Sequence, residues 1–287
     1  MNTLEALILG IVQGITEFLP VSSSGHLVLL QKIFGINEPA LVFDTAVHGG
    51  TLIAVLVVLR QDIWNILRRI FQPLTLYIII ATIPAVIAAL LFKDRIEAAF
   101  TSGAFLGFAF LATSALLFFS EKLHRFSQKP GGYPARLEAA TPGKFQDEMK
   151  WIDALVIGLF QAVAIIPGIS RSGATISAGL YRRLNRDFAA RFSFLLSIPT
   201  ILGALVLQGK DLVKAGAAEA GAASAASLGI GPIPLAAGVL SACIVAFFSI
   251  RLTLKIVRER SLLGFALYTG ILGILVLADK FCTHFFF

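Results

Sequence analysis

Two short stretches of this chain hold polar residues whose types and spacing suit phosphate chemistry. The first is Gln13-Gly14-Ile15-Thr16-Glu17-Phe18-Leu19-Pro20-Val21-Ser22-Ser23-Ser24-Gly25-His26. Gln13 and Glu17 stand four apart, so a helix carries both on one face, and Pro20 ends that helix. His26 shares a face with Ser23 if the segment after the break is helical. The second stretch, Pro167-Gly168-Ile169-Ser170-Arg171-Ser172-Gly173-Ala174-Thr175, sets one arginine among hydroxyls. A guanidinium fork matches the oxygens of a phosphate. Hydroxyl-rich, Gly-containing turns at helix starts also aim backbone N–H groups at an anion. Together the stretches offer an anion clamp, acid–base groups and a candidate nucleophile.

Each residue also has a plainer reading. Ser22, Ser24 and Ser172 could be hydrogen-bond glue between helices, and Glu17 with Arg171 could be a structural ion pair. His48, in His48-Gly49-Gly50-Thr51, reads as a packed or cavity-lining histidine rather than a catalyst. Asp44 belongs near the first stretch with no clear role. Arg182, Arg183, Arg186 and Arg191 read as topology signals that touch anionic lipid.

The elements that must position these groups follow from composition. Of 287 residues 57% are hydrophobic and 14% charged, and the mean hydropathy is +0.84. Soluble domains carry about 25% charged residues, so the solvent for most of this chain is lipid. The net charge of +7 is then an excess of loop Lys and Arg rather than a nucleic-acid surface. Cys243 and Cys282 are too few and too far apart for a disulfide framework or a zinc site. The N-terminal apolar run is flanked by Glu5 and Glu17 and lacks the basic start of a signal peptide, so it is expected to be retained.

Six stretches are long enough to span a bilayer: 42–59, 74–92, 104–120, 192–207, 232–250 and 262–278. Two others are not. Residues 4–19 and 152–166 each run into one of the polar stretches and resume as a short apolar arm, at 27–34 and 174–181. These read as re-entrant helical hairpins, whose irregular backbone must be buried in protein or face a cavity. The fold class is an all-α integral membrane protein with six transmembrane helices plus two re-entrant hairpins.

If the first hairpin enters from the outer side, loops 60–73, 121–151, 181–191 and 251–260 are cytoplasmic and hold 17 of the 24 Lys and Arg. Both termini are then outside. At an offset of 148 residues, Gly10-Ile11-Val12-Gln13 matches Gly158-Leu159-Phe160-Gln161, and Ser22-Ser23-Ser24-Gly25 matches Ser170-Arg171-Ser172-Gly173. The chain divides into a first repeat (1–120), a cytoplasmic connector (121–151) and a second repeat (152–287). Three spans per repeat make the topology inverted, with a site where the breaks meet.

The Gln13–His26 stretch closely resembles the first motif of the bacterial undecaprenyl-diphosphate phosphatases of the BacA/UppP type, and the Pro167–Thr175 stretch is similar to another motif of that family. The resemblance extends over nearly the whole chain. In the family the first acidic position is Glu or Gln, and here it is Gln13, so a mechanism needing two carboxylates on that helix is not expected. The resemblance implies hydrolysis of undecaprenyl diphosphate to the monophosphate that carries cell-wall precursors, and bacitracin resistance. It also implies an inner-membrane location, a site open to the periplasmic side and a divalent cation such as Mg²⁺. Glu17, Ser23, His26, Ser170, Arg171 and Thr175 match its functional positions.

The roles expected are Ser23 as nucleophile, His26 as proton carrier, Arg171 as diphosphate clamp and Glu17 as metal holder with Gln13 beside it. Ser22, Ser170, Ser172 and Thr175 are expected to bind the substrate. A route in which His26 or Glu17 activates water stays open. The partners expected are the polyprenyl diphosphate lipid and the bilayer, without nucleic acid, and a homodimer is an open option. Paired broken helices are equally a carrier architecture, so a transporter or flippase of polyprenyl phosphate or another organic anion is the competing reading.

Overall fold

The computed structural model describes residues 1–36, 41–102, 105–127, 143–218 and 230–284. Helices dominate. The first half contains α1 (Thr3–Thr16), α2 (Ser23–Ile33), α3 (Leu41–Val58), α4 (Arg60–Arg68), α5 (Pro73–Leu91), α6 (Lys93–Ser102) and α7 (Leu106–Ser127). The second contains α8 (Trp151–Val163), α9 (Arg171–Tyr181), α10 (Arg186–Ala218), α11 (Pro232–Glu259) and α12 (Leu263–Ala278). Among the described residues there is no strand, only an isolated backbone bridge between Lys144 and Leu184.

Five helices, α5, α7, α10, α11 and α12, are long and apolar enough to cross a membrane, and α3 with α4 makes a sixth bent by 75° at Leu59. The stretch expected as loop 60–73 thus opens with helix α4. On α5 the side chains of Leu76, Ile79, Ile83, Ile87 and Leu90 face outward. A row of exposed aliphatic groups of this size needs an apolar solvent, which lipid supplies. The chain is a multi-pass membrane protein.

The two interrupted segments form helix pairs. α1 has 14 residues and α2 has 11, giving lengths of about 21 and 16 Å at 1.5 Å per residue. A hydrocarbon core is about 30 Å thick, so neither arm crosses alone, and the same holds for α8 and α9. α2 and α9 both start and end 148 residues apart, as do the starts of α1 and α8. α1 packs on α11 and α8 on α5, a pairing that exchange of the two halves reproduces.

Small residues allow these contacts. Gly14 lies where a Cβ would meet the Ala242 carbonyl oxygen at 2.7 Å, and at Gly158 it would meet that of Ala81 at 2.6 Å. Without a hydrophobic force between helices in lipid, such close backbone approach is what holds them.

Basic residues at one end of the bundle have protein partners. Arg186 donates to Glu121, to the Val257 carbonyl and to the Arg260 carbonyl at 3.1, 2.7 and 2.6 Å. It thereby satisfies orphan acceptors at the end of α11. Arg182 and Lys144 pair with Asp153, at 2.6 and 3.2 Å. Arg191 joins Asp187 and Asp62. Three of the four arginines read as lipid contacts are therefore also structural ties. Burial works to raise the Asp153 carboxyl, but the Lys150 N–H, Arg182 and Lys144 hold it below the usual carboxylate range. Most of the expected connector, 128–142, lies outside the described residues.

Candidate active site

Both breaks solve one problem, a helix ending and restarting where water is scarce. Ser22 caps α2, its Oγ accepting from the Gly25 N–H at 3.2 Å, and Ser170 caps α9, accepting from the Gly173 N–H at 3.0 Å. The chain reaches Ser22 in a left-handed conformation, φ +72°, rare for a residue with a Cβ. At Gly168 φ is +90°, and an added Cβ would meet Ala109 Cβ at 2.7 Å, so glycine is required there.

The breaks then satisfy each other. The Gly168 N–H donates to Ser24 Oγ at 3.3 Å, and Ser172 Oγ donates to the Leu19 carbonyl at 2.9 Å. The Ser170 N–H donates to Thr113 Oγ1 at 3.0 Å. Irregular backbone survives at membrane depth because protein groups complete its hydrogen bonds. Ser24 and Ser172 thus do the knitting that the plainer reading assigned to them.

One carboxylate gathers most of the remaining polar groups. Glu17 Oε1 accepts from Arg171 Nη2 at 2.6 Å. Its Oε2 accepts from Ser23 Oγ at 2.5 Å and from Gln13 Nε2 at 3.0 Å. His48 Nε2 lies 3.4 Å from the same Oε2. The ion pair is buried, with Glu17 6% and Arg171 16% exposed, and each charge needs the other there. Arg171 Nη1 also donates to the Ser193 carbonyl at 3.3 Å.

These groups open onto a cavity of about 290 Å³, lined by Glu17, Ser22, Ser23, Ser24, Asp44, His48, Ser170 and Arg171 on its polar side. Leu27, Ile165, Ile169, Ile201 and Leu205 form the apolar side. Ligand pockets run from about 300 to 1,000 Å³. Close to the low end of that range, this one suits a small polar group.

Of the residues expected at the site, Glu17, Ser22, Ser23, Ser170 and Arg171 converge on the cavity. Gln13 does not line it and anchors Glu17 from behind. Thr175 lies behind Arg171, bonded to Arg171 O and Ser193 Oγ at 2.9 and 2.6 Å.

His26 turns away. Its Nδ1 sits 2.6 Å from the Ser22 carbonyl and its Nε2 2.7 Å from the Tyr268 hydroxyl. The two rings stack with centroids 5.7 Å apart. Ser23 and His26 do stand three apart on α2, as expected, but the ring engages the Ser22 carbonyl and the Tyr268 hydroxyl while the Ser23 hydroxyl goes to Glu17. His48 stands at the carboxylate instead. The signal for it was the i, i+4 pair of Asp44 and His48, which places both on one face of α3. Tyr268 and Ser193 carried no local signal.

Among the described residues no three His, Cys, Asp or Glu side chains converge as a metal site. Glu17 Oε1 is held by the Arg171 cation at 2.6 Å, which repels a second cation, and Oε2 accepts from Ser23 and Gln13. Glu17 as a direct metal ligand does not fit this arrangement.

Known proteins resemble the chain over its length. It is 45% identical to an undecaprenyl-diphosphatase of Carboxydothermus hydrogenoformans over 96% of this chain and 97% of that one. It is 42% identical to undecaprenyl-diphosphatase 4 of Bacillus cereus over 98% of each. An undecaprenyl-diphosphatase of Alkaliphilus metalliredigens is 37% identical over 96% of this chain and 98% of its own. The family model described as bacitracin resistance protein BacA matches residues 6–275, and with relatives this similar along nearly the whole chain, the protein belongs to the BacA family.

Proposed function

We propose that the protein hydrolyses undecaprenyl diphosphate to undecaprenyl phosphate and inorganic phosphate, returning the carrier lipid to cell-wall synthesis and conferring bacitracin resistance. The observation that carries the mechanism is the 2.5 Å hydrogen bond from Ser23 Oγ to Glu17 Oε2, at a cavity shared with Arg171. A hydroxyl already donating to a carboxylate is a nucleophile with its base in place.

Ser23 attacks the terminal phosphorus while Glu17 takes its proton. Arg171, held against Ser193, exchanges its contact with Glu17 for the diphosphate oxygens and balances charge on the transferring phosphoryl group. The starts of α2 and α9 turn backbone N–H groups toward the same anion. Ser22 and Ser170 hold those helix starts in shape. The Ser22 carbonyl is fixed by His26, which Tyr268 holds in turn.

Mg²⁺ would here be held by the substrate's phosphate oxygens and water rather than by Glu17, and would supply neutralisation of the diphosphate charge. The polyprenyl tail runs along the lipid-facing helices outside the cavity. The site belongs to the periplasmic side of the bacterial plasma membrane with both termini outside, which the distribution of Lys and Arg supports. Every group named comes from one chain, so a homodimer is not needed to complete the site.

The test is phosphate release from undecaprenyl diphosphate by the purified protein in detergent, with and without Mg²⁺, beside Arg171→Ala. Metal-dependent release that is lost in the variant supports the reading. A folded wild-type protein that binds the lipid and releases no phosphate is a carrier instead.

A further inference from the structure

His48 belongs to neither broken segment, and no step above uses it. Its Nε2 is 3.4 Å from Glu17 Oε2, the oxygen that receives the Ser23 hydrogen bond. Its Nδ1 is 2.6 Å from the Asp44 backbone carbonyl. A carbonyl only accepts, so Nδ1 carries a proton in either charge state, and Nε2 is the nitrogen free to gain or lose one. The ring lines the cavity and is 28% exposed.

We propose that His48 is a positioning residue acting through Glu17, receiving at Nε2 the proton that Glu17 Oε2 takes from Ser23. The inference rests on the phosphatase reading and on its covalent route. Charge balance favours the relay. With Arg171 turned to the diphosphate oxygens, the Glu17 carboxylate has lost its cation, and a buried carboxylate needs another. Passing the proton to His48 returns Glu17 to the carboxylate and supplies that cation as an imidazolium whose Nε2 lies 3.4 Å from its Oε2.

The bonds balance. Ser23 Oγ–P forms as the bridging P–O bond breaks, undecaprenyl phosphate leaves, and the proton rests on His48. Water then attacks phosphorus and the Oγ–P bond breaks. The proton returns through Glu17 to Ser23, and both water protons leave on dihydrogen phosphate.

The experiment measures kcat and KM for undecaprenyl diphosphate with the wild type, His48→Ala and His48→Gln. Each variant is first checked for an unchanged gel-filtration profile and thermal midpoint in detergent, and His48→Ala is also assayed with added imidazole. A lost proton acceptor lowers kcat by about 100-fold with KM within about twofold of the wild type. Imidazole entering the vacated space restores His48→Ala severalfold. His48→Gln, which can hydrogen-bond to Glu17 but cannot take its proton, stays as slow as His48→Ala.

A kcat within about twofold of wild type in either variant overturns the proposal. So does a loss confined to KM, or a kcat loss that imidazole leaves unchanged. An inactive wild type, by contrast, would defeat the phosphatase reading itself.

Discussion

The two breaks share a scaffold and differ in their chemistry. Each follows a short apolar helix carrying a glutamine, Gln13 or Gln161, and each ends in a serine cap, Ser22 or Ser170. At the offset of 148, Glu17 stands opposite Ile165, Ser23 opposite Arg171 and His26 opposite Ala174. The first break therefore holds the carboxylate and the Ser23 hydroxyl bonded to it, and the second holds the cation. Gln13 has a carboxylate to anchor, whereas Gln161 donates to the Ala81 carbonyl at 3.3 Å. In the proposed mechanism the two like frames are complementary, with base and nucleophile in one and the anion clamp in the other.

Breaking the first half of that comparison should have the largest effect. Ser23→Ala is expected to lower turnover by more than about 1,000-fold while the protein still binds the diphosphate lipid, measured by phosphate release beside a lipid-binding assay. On the second half, Arg171→Lys keeps the charge and loses the fork that spans Glu17 and Ser193. Its kcat/KM should fall by about 100-fold, with less loss of stability than Arg171→Ala, which strands Glu17 in a buried site.

The frame itself can be tested apart from the chemistry. Gly168→Ala forces a Cβ into Ala109 and into a backbone region that disfavours it. It should cost about 1–3 kcal/mol, read as a lower thermal midpoint in detergent, and reduce activity by misplacing Arg171.

The smallest effect is expected at Asp153, in the first turn of α8 and away from the breaks. Its folded-state pKa lies below the ordinary 3.8, so its stabilisation is present above that value and fades as pH falls through the folded one. Asp153→Asn should therefore lower the midpoint at neutral pH, and the gap to wild type should close in acid.

Much of this organisation was legible because it obeys local rules. Pro20, Gly168 and the serine runs mark the breaks, since a helix without its backbone bonds needs those residue types. Glu17 and Arg171 could be matched in advance because a buried charge requires an opposite one. What was not legible depends on distant packing. The orientation of His26 is set by Tyr268, 242 residues away, and nothing near His26 signals that partner. Thr175 is drawn behind Arg171 by Ser193, on another helix. His48 reaches Glu17 only because α3 packs beside α1. The bend at Leu59 also escaped a reading by hydropathy, which registers the end of an apolar run but not the direction the chain then takes.

The most direct test of the central claim, that Ser23 attacks with Glu17 as its base, is an acid-quench experiment on undecaprenyl diphosphate labelled in its terminal phosphate. The account predicts label bound covalently to the protein within milliseconds to seconds, mapped to Ser23 by peptide analysis, and absent in Ser23→Ala. Turnover by Ser23→Ala near the wild-type rate, with no labelled protein in either, would contradict it.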